Sequence, residues 1–168
     1  MNFLSFSNFP LSLMVMSDTF SQMYCHLVFA VQGRYSLISH EWETQLYKYI
    51  TSIVQNNGHK LLAIGGMPDH IHLFIGYNIV QSIPELVREV KRDSASWINN
   101  QRFVSGRFSW QRGYGVFSYS RSQIQAVANY INHQEKHHSK QSFLDEYKKT
   151  LDHFDVIYED KYLFKPVE

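Results

Sequence analysis

A single cysteine, Cys25, is all the thiol the chain contains. No internal disulfide can form and no cysteine spacing suits zinc, so a reducing cytoplasm is the expected setting. No apolar run reaches the roughly 18 residues of a membrane-spanning helix, so no membrane partner is expected. Net charge is nearly absent as well, +1 from 16 Lys and Arg against 15 Asp and Glu. Any basic surface that grips a polyanion must therefore be local. Internal repeats and low-complexity linkers are missing, and 168 residues fit one domain. The uncharged stretch 1–15 lacks the basic flank of a secretory signal. It is expected to be a loose extension or the product of an upstream start, with Met16 opening a single domain over 16–168. A tail packed on that domain is the alternative.

What the chain has is apolar and aromatic. Hydrophobic residues make up 44% and charged residues 18%, a balance that excludes wholesale disorder. Eleven Tyr, 12 Phe and three Trp can fill a core or stack on unpaired bases.

Residues 22–31 alternate, which predicts a strand with Met23, Cys25, Leu27 and Phe29 on one face and Tyr24, His26 and Val28 on the other. A helix follows over about 39–56, opened by Ser39 and striped by Trp42, Leu46, Tyr49, Ile50 and Ile53. Residues 59–66 and 70–77 read as an antiparallel pair joined by a short turn. Ser82 and Glu85 form a capping-box pattern for a helix to about Asn99, with Arg88, Lys91 and Arg92 on its solvent side. An irregular segment, 101–112, precedes a fourth strand over 113–119. Ser120 or Ser122 caps a helix to about His138, and Ser142 caps a last helix striped by Phe143, Tyr147 and Leu151. Residues 156–168 hold a short strand at Ile157 and Tyr158 or pack as coil. The order βαββαβ predicts an α+β, ferredoxin-like or RRM-like fold. Its antiparallel sheet has four strands, one face covered by helices and the other left for a site or a partner.

Two features suggest chemistry. In His70-Ile71-His72 the strand alternation points both imidazoles one way, and two imidazoles on a rigid strand can share a metal ion. The plain alternative is a pair of surface or hydrogen-bonding histidines. His26 lies on an outward face of the first strand, which neighbours the third in this fold, so it is a possible neighbour of that site. Tyr130 and Gln134 are four apart, on one helix face at the edge of a stripe of Ile124, Val127, Ala128 and Ile131. A phenol with a pKa near 10 is a poor nucleophile. A divalent cation polarising a phosphate would help it, and Gln134 could add an amide oxygen to two imidazoles for Mg²⁺ or Mn²⁺. An ordinary amphipathic helix is again the alternative, with His133, His137 and His138 as rival ligands.

Four stretches together carry a resemblance: YCHLVFAVQGR from Tyr24, MPDHIHLF from Met67, FSWQRGYGVFSYS from Phe108 and ANYINHQEKHH from Ala128. In that order and spacing the chain resembles the HUH single-tyrosine transposases of the smallest bacterial insertion sequences and their REP-associated relatives. The resemblance runs from about Ser17 to Phe164. It implies metal ligation by His70, His72 and Gln134, and nucleophilic attack by Tyr130 on single-stranded DNA. It also implies a 5′-phosphotyrosine intermediate, end hairpins as the DNA partner, and a homodimer whose active site is often completed in trans. The only clear departure is the N-terminal stretch. Arg34, Arg88, Lys91, Arg92, Arg102, Arg107 and Arg112 are candidate phosphate contacts. Of these Arg34, Lys91, Arg92 and Arg112 are the DNA-binding candidates, each weighed against an ordinary solvated charge. Two other readings stay open: an RRM-like nucleic-acid binding module without chemistry, and a host-recruited repeat-processing protein.

Overall fold

The computed structural model describes residues 20–134 and 142–164. The readings of 1–15 and of Met16 lie outside those residues. The tyrosine helix, expected to run on to about His138, instead ends at Asn132, where the non-helical backbone of His133 caps it, so Tyr130 and Gln134 are not on one continuous helix; 135–138 lie outside the described residues.

The strands are β1 (Met23–Ala30), β2 (Lys60–Met67), β3 (His70–Tyr77) and β4 (Gly115–Tyr119). They form one sheet in the order β2-β3-β1-β4, with every neighbouring pair antiparallel. This is the α+β architecture expected from the element order. The helices are α1 (Glu43–Asn56), α2 (Ile83–Gln101), α3 (Ile124–Asn132) and α4 (Phe143–His153).

One face of the sheet follows the alternation directly. Leu27, Phe29, Ile71, Leu73 and Ile75 pack with Leu46 and Ile50 of α1 and Leu86, Val90 and Ile98 of α2 into the main core. α2 starts where expected because Ser82 Oγ accepts from Glu85 N at 3.4 Å. α1 begins later than expected, because Ser39 is used in a turn and the buried Trp42 is the cap residue. The irregular segment contributes buried Phe108 and Trp110, the latter donating to Ser94 Oγ at 2.9 Å.

The second face departs from expectation. It is not left open: α3 packs Val127 and Ile131 on Ala63 and Phe74, while α4 packs Phe143, Tyr147 and Leu151 on Val28, Ala30 and Phe117. Those apolar side chains on the outer face of all four strands need cover, and the two C-terminal helices supply it. α3 sits close because Gly65 lies beneath its end. A Cβ there would stand 2.4 Å from the Ile131 carbonyl oxygen. Residues 156–159 are coil, not strand, followed by a 3₁₀ turn at Asp160–Tyr162.

Candidate active site

The histidines lie under that cover. His70 and His72 share the outer face of β3, and the β1–β3 register sets His26 opposite Phe74, two residue pairs along from Val28 opposite His72. All three are at least 97% buried. The His70 and His72 rings are 5.0 Å apart at 78°, and His26 stacks on His72 at 5.1 Å. His26 Nε2 is hydrogen-bonded to His72 Nδ1 at 2.9 Å. His70 Nδ1 donates to Asp69 Oδ1 at 2.7 Å, and Arg34 holds the other carboxylate oxygen through Nε at 3.1 Å and Nη2 at 2.9 Å.

These contacts set the charge states. Burial lowers the pKa of His26 to about 3. Burial also lowers that of His70, against the opposing pull of the Asp69 carboxylate. Burial pushes the Asp69 carboxyl up, but the hydrogen bonds and charges of His70 and Arg34 outweigh it and hold the group below its usual range. Burial therefore favours neutral imidazoles at His26 and His70, and the neutral form is the one that binds metal.

Tyr130 reaches the same place from α3. Its ring stands edge-on to His72 at 5.9 Å and to His26 at 6.3 Å. Gln134 lies just past the helix cap His133 and is 3% exposed. Its side chain is near enough to His70 to raise that imidazole's basicity, yet neither amide atom makes a well-aligned hydrogen bond among the described residues. A buried amide without such a partner is costly. Among the described residues no three His, Cys, Asp or Glu side chains are grouped to hold a metal. The set on offer is two imidazoles and an amide oxygen, a fit for a hard divalent cation with positions left for phosphate oxygens.

Phe143 of α4 stacks on His70 at 3.9 Å between ring centres, and the Arg34 guanidinium lies over Phe143 at 5.0 Å. Tyr130 also lines an outer cleft of about 380 Å³ with His26, Tyr119, Glu146, Lys149 and His153. Glu146, Lys149 and His153 escaped the sequence reading. The signal for them was their helical spacing on α4, beside the Phe143, Tyr147 and Leu151 stripe.

The four DNA-binding candidates divide. Arg34 is committed to Asp69, and Lys91 Nζ donates to the carbonyls of Gln111, at 2.9 Å, and Gly113. Lys91 thus turns inward, contrary to the expected solvent-facing position, because a flexible ammonium stem can satisfy loop carbonyls. Arg92 pairs with Asp93 at the surface, and Arg112 is exposed.

Fold and site together define an α+β protein with a buried histidine pair on a central strand and a tyrosine helix set against it. Residues 19–134 match the family described as "Transposase IS200 like". The ISDra2 transposase TnpA of Deinococcus radiodurans is 25% identical over 118 residues, covering 67% of this chain and 84% of that protein. A crystal structure of a candidate transposase from Deinococcus radiodurans R1 superposes with a TM-score of 0.57 at 25% identity, over 70% of this chain and 95% of that one. A REP-associated tyrosine transposase solved bound to a REP hairpin shares the fold, with a TM-score of 0.55 at 14% identity over 69% and 68% of the two chains. The chain belongs to the IS200-like transposase family. It is accordingly an enzyme of DNA transposition.

Proposed function

We propose that this transposase cuts and rejoins single-stranded DNA through a covalent link between Tyr130 and a 5′ phosphate. The observation that carries the reading is the convergence, within one chain, of the Tyr130 ring on the buried His70–His72 pair, with Gln134 beside it. The phenol gives up its proton to solvent as its oxygen attacks the phosphorus, an O–P bond forms, and the bond to the 3′ oxygen breaks. The departing oxygen leaves as a 3′ hydroxyl after taking up a proton. A 3′ hydroxyl from the other DNA end then attacks the phosphotyrosine and returns the phenol. The phosphodiester energy is kept in the covalent link, so no nucleotide cofactor is needed.

His70, His72 and Gln134 would hold Mg²⁺ or Mn²⁺. The cation supplies Lewis-acid polarisation of the phosphate and stabilises charge in the transition state. Arg92 and Arg112, at the surface, are the proposed phosphate contacts of the original four, and end hairpins of single-stranded DNA are the proposed ligand. The cis site is the configuration this geometry supports. In a homodimer, exchange of α3 between two chains would assemble the same residues in trans. Buried Cys25 suits a cytoplasmic enzyme. An RRM-like binding module would present aromatics on its central strands, where β1 and β3 carry buried His26, His70 and His72.

The test uses single-stranded DNA with candidate end hairpins and Mn²⁺, resolved on a denaturing gel. Tyr130→Phe is expected to form no covalent adduct while still binding the hairpin, and His70→Ala to lose Mn²⁺-dependent cleavage while remaining folded. Equal loss of binding and adduct in Tyr130→Phe would make the tyrosine structural and refute the reading.

A further inference from the structure

We infer that Asp69, clamped by Arg34, and His26 are positioning residues that lock His70 and His72 in the tautomer that ligates through Nε2. The inference rests on the metal reading above and extends it to residues outside the proposed ligand set of His70, His72 and Gln134.

Each strand histidine has its Nδ1 engaged by a fixed neighbour. Asp69 Oδ1 receives the His70 Nδ1 proton at 2.7 Å, and His72 Nδ1 lies 2.9 Å from His26 Nε2. A carboxylate can only accept, so His70 carries its proton on Nδ1 and its lone pair on Nε2. For His72 the hydrogen bond to His26 Nε2 can run either way; the same outcome requires His72 Nδ1–H to donate, which puts the His26 proton on its buried Nδ1, an atom with no hydrogen-bond partner among the described residues. The two imidazoles then offer equivalent lone pairs from adjacent positions on one strand face. Outer-shell partners of this kind fix ring orientation as well as tautomer.

The anchoring of Asp69 is itself built. Gly33 and Arg34 both take left-handed backbone, at φ 65° and 55°. That conformation is uncommon for a residue with a side chain and carries a conformational cost. It turns the β1 exit so that two guanidinium nitrogens meet one Asp69 oxygen at 3.1 and 2.9 Å. The backbone ties the same two segments: Val31 N donates to Asp69 O at 2.8 Å. The stretch YCHLVFAVQGR thus supplies both supports, His26 and Arg34, for the histidines of MPDHIHLF. Arg34 is accordingly assigned to the site's interior, not to a phosphate.

Two readouts test this. A long-range ¹H–¹⁵N spectrum of the metal-free protein should show His70 and His72 both protonated at Nδ1. Mn²⁺ titration followed by electron paramagnetic resonance should show Asp69→Ala and His26→Phe binding roughly 10–100-fold more weakly than wild type. His26→Gln, which keeps an acceptor at the Nε2 position, should restore near-wild-type affinity, and Arg34→Gln should weaken binding in the same direction. Thermal melts confirm that each variant is folded, and the rescue by Gln separates positioning from packing. An Nε2 proton on either histidine, or unchanged Mn²⁺ affinity in both Asp69→Ala and His26→Phe, overturns the inference alone. Wild-type protein that binds no Mn²⁺ overturns the metal reading and this inference together.

Discussion

Glu146 sits half-buried in the cleft that Tyr130 lines, and burial raises its carboxyl pKa from 4.5 to about 7. An unfolded chain releases that proton near 4.5, whereas the folded protein keeps it to about 7. Between those values the native state binds more protons, so this group's contribution to stability falls as pH rises and is level above 7. His26 acts with the opposite sign. Its folded pKa of about 3 lies below the ordinary 6.5, so its neutral burial costs stability as pH falls between them. The difference between wild type and Glu146→Gln isolates the glutamate. Denaturant midpoints should show the variant gaining relative stability from acid to neutral pH, by on the order of 2 kcal/mol after allowing for partial exposure. Parallel profiles for the two proteins would show that Glu146 is solvated.

At the level of elements, the junction between α3 and β2 controls where Tyr130 and Gln134 stand. Gly65 pairs with His72 across the sheet, and a Cβ there would meet the Ile131 backbone oxygen at 2.4 Å. Backbone cannot step aside as a flexible side chain can. Gly65→Ala should therefore cost about 1–3 kcal/mol by overpacking and lift the end of α3 from the sheet. Adduct formation should drop more than hairpin binding does; a variant with wild-type melting and wild-type adduct yield would mean the helix has slack.

Local patterns made several elements legible. The third strand occupies residues 70–77 as expected, because alternation and the preceding turn both point there. Ser82 and Ser142 cap through their side chains as their positions suggested, and Ser120 forms a capping box with Gln123. Strand phase alone placed the His70 and His72 side chains on one face. Other contacts were not legible, because they join segments far apart in the chain. Phe143 on His70, Arg34 on Asp69 and the inward turn of Lys91 depend on how layers stack, which periodicity does not encode. The bulge between Leu61 and Ala63 in β2 also left no clear mark in the residue pattern.

For the molecule as a whole, the division of labour follows the two sheet faces. One carries the apolar core under α1 and α2, and the other buries polar histidines under α3 and α4. Among the described residues no helix is long and apolar enough to cross a membrane. The two sides of the site differ in access: His70 is fully buried with Phe143 upon it, whereas Tyr130 lines the outer cleft. Mass spectrometry of peptides from wild-type protein, after reaction with hairpin-bearing single-stranded DNA and Mn²⁺, reads the outcome directly. The expected result is a 5′-phosphonucleotide on Tyr130 that vanishes when a chelator is present during the reaction. A nucleotide on another residue, or one formed equally with chelator, would contradict the convergence of phenol and imidazoles on one cation.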